Sequence, residues 1–398
     1  MDRPVNLLIV ASYFKGNRFM EECYREGCNV YLLTKLSLKD APWQRECITD
    51  TFYMPEFTKR EDVINAVSYL ARTHIFDRII PMDDYAVELA ASLREHLRIP
   101  GMGDTTARYF RDKLAMRVQA RDEHIRCPRF EHVLNYDKLR QFMDEVPGPW
   151  FLKPRSEAGA VGIKKINNPQ ELWDTIQQLG DDQSHRLLEE YVPGSVYHVD
   201  SVVWNREILF SNVSRYDKPP FDIWNFGGVF CTRTLPQGYA EEPEVAEMNR
   251  KVVAAMGLVR GITHAEFIRS EKDGQIYFLE VAARVGGASI DMMVEAATGL
   301  NMWQEWARLE IAYAKGEEYV LPQRRSDSAA LLNCLSRQAD PDTSSYNDPE
   351  VFWRNHKDHH VGLVLRSSSF EELSKLVDSY KERLNRDFLA IEPPRASN

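Results

Sequence analysis

The stretch Thr263–Ala282 constrains the fold more than any other part of this 398-residue chain. Two strand-like runs, Thr263–Ser270 and Gln275–Ala282, flank Glu271-Lys272-Asp273-Gly274, whose Asp and Gly are hairpin-turn residues, and the segment is predicted to be a β-hairpin. Phe267, Ile268, Phe278, Leu279 and Val281 make both runs apolar on two faces, so the hairpin belongs inside a sheet covered on both sides. Two carboxylates stand in this apolar background. With the turn centred near Asp273, Glu266 and Glu280 are each seven residues away and fall opposite one another. At ~5 Å and an effective dielectric of about 20 they repel by roughly 3 kcal/mol, a cost relieved by a cation or a shared proton. Mg2+ takes one or two carboxylates together with phosphate oxygens, which points to a nucleotide site. Taken alone, the pair is equally compatible with two glutamates facing solvent on an edge hairpin. Arg284 follows at once, with Gly286-Gly287 behind it; its guanidinium suits an oxyanion, phosphoryl oxygens or a salt bridge to Glu280.

Upstream, strand-like and helical patterns alternate: Val5–Ala11, a helix from Asn17, Asn29–Leu33, helical Asp62–Thr73, Arg78–Pro81, and a helix from about Tyr85 to His96. This predicts a parallel, doubly wound α/β layer as a first domain, residues 1–103. Gly101-Met-Gly103 lacks the dinucleotide fingerprint, since Thr106 stands where a small glycine should and no first strand precedes it, so a nicotinamide cofactor is excluded. A helix over Thr105–His124 leads through Pro128 into a region rich in hairpin signals that holds most of the chemically loaded residues. The expected second unit is an α+β domain over 104–316, with a central part at about 128–192. After the Pro322–Ser328 break, strand-like Ala329–Leu335 and Val361–Ser367 and helical Phe370–Arg386 predict a small α+β C-terminal domain, 317–398.

Composition serves to exclude. A net charge of −10 with no long basic run argues against a nucleic-acid partner. The hydrophobic and charged fractions, 43% and 28%, are those of a globular chain. Cys23, Cys28, Cys47, Cys127, Cys231 and Cys334 form no C-x-x-C pair and read as reduced thiols. Val5–Ala11 is too short to span a bilayer and no small-residue cleavage site follows it, so the expected compartment is the cytoplasm, with no membrane partner.

Two further segments bear on a nucleotide. Trp150-Phe-Leu-Lys153-Pro154 is an apolar strand that ends in a lysine and runs into the small-residue loop 155–163, containing Ser156, Gly159, Ala160 and Gly162. Such a loop suits a phosphate cradle, because backbone N–H groups approach where side chains are small; an ordinary hairpin turn is the competing reading. The order excludes a P-loop, which closes on Gly-Lys-Ser/Thr. Leu187–Gly194 reads as a strand and break, either a simple edge strand or a backbone that pairs with an adenine edge beside Tyr191 and Val192.

Taken in order, Arg111-Asp-Lys113, Phe151-Leu-Lys153-Pro, the Gly159/Gly162 loop, Glu189-Glu-Tyr-Val-Pro-Gly194, His264-Ala-Glu266-Phe and Leu279-Glu280-x-x-x-Arg284 resemble the ATP-grasp superfamily. That group includes biotin carboxylase, glutathione synthetase and dipeptide ligases, and the resemblance covers roughly residues 1–313. It implies an α/β layer followed by α+β grasp domains that bind ATP. By the resemblance, Lys113 and Lys153 contact ATP phosphates, Lys153 also lying near the adenine, and the loop with Ser156, Gly159, Ala160 and Gly162 folds over the triphosphate. Glu189, Glu190, Tyr191 and Val192 form the adenine hinge, Glu266 and Glu280 hold Mg2+ (Mn2+ being the alternative), and Arg284 acts with Lys153 in catalysis by stabilising the acyl-transfer intermediate.

Two positions depart from the pattern. Ala282 stands where family members often carry Asn, which puts a second metal in doubt, and Val196 replaces a ribose-binding Glu. His198-Val-Asp200 resembles a His-Val-Glu run of biotin carboxylase, so His198 is the expected ribose contact; read from its residues alone it is a half-buried sheet histidine facing Asp200. The activity implied is ligation of a small carboxylate to an amino-acid-like amine through an acyl phosphate, in enzymes that are often homodimers. The Arg215–Thr232 segment reads as a loop closing over the acceptor, with Arg215 meeting phosphate or the carboxylate substrate, or else at the surface, and with Gly286 and Gly287 near the substrate. The alternatives are a carboxylase using bicarbonate, disfavoured because no biotinyl-carrier segment is seen, and a nucleotide-binding regulator without catalysis, motivated by Ala282 and Val196.

Overall fold

A computed structural model describes residues 3–390. The first layer is a parallel sheet of β1 (Asn6–Ala11), β2 (Asn29–Lys35), β3 (Asp50–Met54) and β4 (Arg78–Pro81), in the order β3-β2-β1-β4. Leu7 to Ala11 are fully buried, as a central parallel strand with helices on both faces requires. The edge strand β3 carries no residue in the core, and its weak apolar run left no mark in the sequence pattern.

The helix expected over Thr105–His124 is broken into Asp104–Arg108 and Lys113–Asp122. Asp112 causes the restart: its carboxylate accepts the N–H groups of Leu114 and Ala115 and also pairs with Arg155. The break puts Lys113 in the first turn of a new helix.

A second, antiparallel sheet comprises β5 (Phe130–His132), β6 (Trp150–Pro154), β7 (Lys164–Ile166) and β8 (Arg186–Glu190), ordered β5-β8-β6-β7. Helices Tyr136–Glu145 and Pro169–Leu179 close its core through Leu139, Trp150, Leu152, Leu172 and Leu188.

The third sheet is antiparallel and eight-stranded: β9 (Gly194–Trp204), β10 (Glu207–Tyr216), β11 (Phe230–Thr234), β12 (Gly261–Ser270), β13 (Ile276–Ala282), β14 (Ser328–Leu335), β15 (Val351–Arg354) and β16 (His360–Ser367). Its order is β13-β12-β9-β10-β11-β14-β16-β15. Residues 317–398, expected as a separate α+β unit, thus supply three strands to the same sheet, since β14 pairs with β11 from Phe230↔Asn333 to Arg233↔Ala330. Pairing covers an edge of β11 that would otherwise present unpaired backbone. Tyr197, Val199, Ala265, Phe267 and Phe278 pack on helix Glu242–Met256. A separate core joins Leu7, Ile9, Phe19 and Met20 of the first layer to Met293, Trp306 and Leu331, so the first layer is docked through helices Ile290–Thr298 and Met302–Lys315. A buried ion pair, Arg78 Nε to Glu310 at 2.7 Å, crosses the same junction.

Candidate active site

Glu266 and Glu280 are register partners on β12 and β13. The turn pairs Ser270 with Gln275, half a residue short of the centre assumed from sequence. Leu279 makes up the difference as a bulge between Phe267↔Phe278 and Glu266↔Glu280. The bulge also brings Leu279 and Glu280 together to the wall of one cavity, with Glu266, Lys113 and Lys153.

The two lysines are held by carboxylates. Lys113 Nζ lies 3.0 Å from Glu280 Oε2 and donates to the Glu157 carbonyl at 2.6 Å, tying it to the loop after β6. Lys153 pairs with Glu189, whose other oxygen accepts from Arg117 Nε. Glu189 is only 1% exposed. Burial alone would push its carboxyl up, but Arg117 and Lys153 outweigh that and hold it below the usual range. The Glu189 carboxylate thus orients Lys153 from the cavity wall. Glu190, Tyr191 and Val192 line the cavity beside it, where the strand ladder stops at Glu190 and resumes at Gly194. Gly194 is obligatory, because a Cβ there would sit 1.9 Å from the Arg269 carbonyl oxygen.

Behind Glu266 runs a buried polar chain. Tyr216 donates to Glu266 at 2.8 Å, His264 Nε2 lies 3.7 Å from it, and His264 Nδ1 is 2.9 Å from Asp200. Burial opposes protonation of His264, but Asp200 and then Glu266 raise it to about 9. His198 is fully buried, with one ring nitrogen 2.9 Å from Asp200 and the other 2.8 Å from Thr232. Both nitrogens are engaged below the cavity floor, which corrects the expected ribose contact. His198, Asp200 and His264 group closely enough to hold a metal, yet these same bonds occupy their donor atoms, and the cluster reads as a hydrogen-bond network. Gly286 packs over it, since a Cβ would fall 2.8 Å from Asp200 Oδ1.

Arg215 is a further departure from expectation. It pairs across the sheet with Tyr197, on the face of the Phe267 core, whereas Tyr216 points to the Glu266 face. Ser156 is exposed and does not line the cavity; Gly159 and Ala160 do, and Gly162 at φ +69° turns the loop back toward Pro154. Gly287 has open space around it.

Arg284 is held from the first layer. Its Nε donates to Asp84 Oδ2 at 2.7 Å and its Nη1 to the Val285 carbonyl at 2.9 Å. Burial would raise Asp84, but Arg284 lowers it below the ordinary value. No local pattern in the sequence signals this pairing or the role of Tyr216. Arg117 had a signal: it lies four residues after Lys113, on the same helix face.

A larger groove of about 710 Å3, against about 140 Å3 for the cavity, lies along residues 121–131. It is lined by exposed Arg121, Arg126 and Lys138 with Glu131 and Glu145, and includes neither the facing strand carboxylates nor the small-residue loop.

Residues 146–291, which hold this constellation apart from Lys113, Arg117 and Asp84, match the family description "ATP-grasp domain". The chain carries an ATP-grasp domain. It is 26% identical over 243 residues to an L-arginine-specific L-amino acid ligase of Bacillus subtilis, covering 59% of this chain and 58% of the relative. It is 27% identical over 161 residues to a D-alanine–D-alanine ligase of Levilactobacillus brevis, covering 38% and 42%. The chain thus aligns with about half the length of these relatives. The solved L-amino acid ligase of Bacillus licheniformis superposes with a TM-score of 0.77 at 20% identity, over 98% of this chain and 99% of that one, so the two share a fold through the whole molecule. No helix among the described residues is long and apolar enough to cross a membrane.

Proposed function

We propose that the protein is an ATP-dependent carboxylate-amine ligase that joins a small acid to an amino-acid-like amine and releases ADP and phosphate. One observation carries the reading: a facing carboxylate pair and two lysines on the wall of one cavity, followed two residues beyond the strand by a largely buried guanidinium. The amino acid ligases among its relatives support it.

Glu266 and Glu280 suit a hard cation, being paired carboxylates on one wall with phosphate-seeking lysines beside them. Mg2+ held there would offset charge on the transferred phosphoryl group, and Mn2+ is expected to substitute. Lys113 and Lys153 neutralise phosphate oxygens, Glu190 to Val192 receive the adenine, and the loop with Gly159 and Ala160 excludes water from the phosphates. The substrate carboxylate attacks the γ-phosphorus, breaking its bond to the bridging oxygen and giving an acyl phosphate. The amine nitrogen then attacks the carbonyl carbon, and phosphate leaves as the amide forms. Arg284 faces the developing oxyanion, and the chain supplies positioning and charge rather than a covalent nucleophile.

The test is phosphate release from Mg·ATP against a matrix of amino acids and small carboxylic acids, singly and in pairs. Release that requires one acid and one amine, with ADP and an amide found by mass, is expected. Release with bicarbonate alone, or nucleotide binding with no turnover across the matrix, would overturn the ligase reading.

A further inference from the structure

The parallel sheet reverses its winding at β1, with β2 and β3 on one side and β4 on the other. Ligands of open parallel sheets settle outside the carboxyl ends of the strands at such a reversal. Here those ends are the β1 exit, residues 12–16, and the β4 exit, residues 82–86. Buried Asp83 ties them together. One of its oxygens accepts the N–H groups of Ser12 at 2.7 Å and Tyr13 at 3.2 Å, and the other those of Tyr85 at 3.0 Å and Ala86 at 3.2 Å. Gly16, at φ +89°, fixes the far end of the β1 exit, for a Cβ there would fall 2.4 Å from Met82 Sδ. Between these two anchors the loop delivers one charged side chain, Lys15.

Lys15 is half-buried and forms no ion pair within 4.0 Å among the described residues. Facing it are Arg284, Asp84, Asp83 and Asp291. Asp83 is committed to four backbone N–H groups, and Asp84 is bonded to Arg284 and also feels Arg111, whose guanidinium lies 4.5 Å from the Tyr85 ring centre. Burial pushes Asp291 up to about 6, so it is charged at neutral pH, yet it forms no ion pair with Lys15. Burial and then Arg284 lower the Lys15 ammonium from its ordinary value, as befits a cation short of a partner. Lys15 and Arg111 thus lie beside an Asp84 carboxylate already bonded to Arg284, and Lys15 forms no ion pair with any of the carboxylates around it among the described residues. A single reacting carboxylate answers Arg284 and leaves Lys15 unmatched.

We propose that the acid partner of the ligation carries a second anionic group, carboxylate or phosphate, besides the carboxylate that is activated, and that Lys15 selects it. The inference rests on the ligase reading and deepens it to a substrate class.

Hydroxylamine in place of the amine tests this without knowing the acceptor: its nitrogen attacks the acyl phosphate, phosphate leaves, and a hydroxamate accumulates. Full-length protein with Mg·ATP is offered matched acids: butyrate against succinate, alanine against aspartate, serine against O-phosphoserine. The wild type is expected to favour the member with the extra anion by roughly 10-fold or more in kcat/KM, the scale of one charge-assisted hydrogen bond. Whether aspartate or O-phosphoserine gains more identifies carboxylate or phosphate. Lys15→Met should collapse the preference through KM, and Lys15→Arg should retain it. Hydroxamate formation without preference, or a preference unchanged in Lys15→Met, overturns the inference and leaves the ligase standing. No hydroxamate from any acid overturns the ligase reading and the inference with it.

Discussion

The two ends of the cleft are built by different means. At the nucleotide end the working groups meet within a sheet: Glu266 and Glu280 on one hairpin, Lys153 and Glu189 on neighbouring strands β6 and β8. At the acid end they meet across the chain. Arg284 is held by Asp84, 200 positions away, and Lys15 arrives from the β1 exit. The first end therefore needs its two antiparallel sheets and the helix Lys113–Asp122 that carries Lys113 and Arg117, whereas the second exists only while the parallel layer stays docked on helices Ile290–Thr298 and Met302–Lys315. Substitutions at the nucleotide end should abolish all chemistry, and those at the acid end should spare ATP and penalise the acid.

The largest effect is expected from Glu280→Gln. Removing half of the carboxylate pair takes away a charge proposed to hold the metal, worth several kcal/mol of transition-state stabilisation, so phosphate release should fall by ~10³ or more. Glu280 is partly exposed, so the melting temperature should hardly move. A Glu280→Gln protein that still turns over would refute the metal assignment and remove the distinction between the two ends.

Glu189→Gln probes the foundation of the nucleotide end. It strips Arg117, which is fully buried, and Lys153 of their shared carboxylate. Breaking a buried pair from one side costs about 3–5 kcal/mol, to be read from urea unfolding, and ATP affinity should fall with it. Stability within ~1 kcal/mol of the wild type would show that water or a rearranged side chain satisfies the guanidinium.

Asp84→Asn is the matching change at the acid end. Arg284 loses its charged anchor but keeps its bond to the Val285 carbonyl, so hydroxamate formation should drop roughly 10-fold in kcat. KM for ATP should stay put. An equal loss in ATP affinity would mean that the two ends are one unit and that the contrast drawn above is false.

The same contrast explains what could be read before any coordinates. Pairing of Glu266 with Glu280 follows from hairpin counting, although it holds only because the Leu279 bulge offsets a turn centred half a residue early. The strand ending in Lys153 and the break before Gly194 are likewise local patterns. What escaped depends on contacts that no local period encodes. The burial of Glu189 is set by Arg117 on a helix dozens of residues upstream, and the facing of Arg215 by the pairing of β10 with β9. The restart at Asp112 broke a helix that looked continuous, because a cap competes with propagation at a single residue. His198 looked like a ligand by analogy, yet Asp200 and Thr232 take both of its nitrogens. Strands β14 to β16 looked like a separate unit because sequence shows strands and not their partners.

The smallest expected effect is a pH dependence at the acid end. Asp291 is raised from the ordinary 3.8 to about 6, chiefly by burial. The folded protein then binds a proton that the unfolded chain has already lost between those values, so this group makes stability fall as pH rises from about 4 to about 6, and the penalty persists above. A shift of about two pKa units sets a ceiling of about 3 kcal/mol, and partial solvent access reduces the realistic figure to ~1 kcal/mol. Asp291→Asn removes the penalty without changing the side chain's size. Its unfolding free energy should match the wild type near pH 4, rise above it through pH 5 and 6, and stay ~1 kcal/mol higher at pH 7. A difference that ignores pH would mean Asp291 is solvated. The raised value, and with it the pH dependence of stability assigned to this group, would then be refuted.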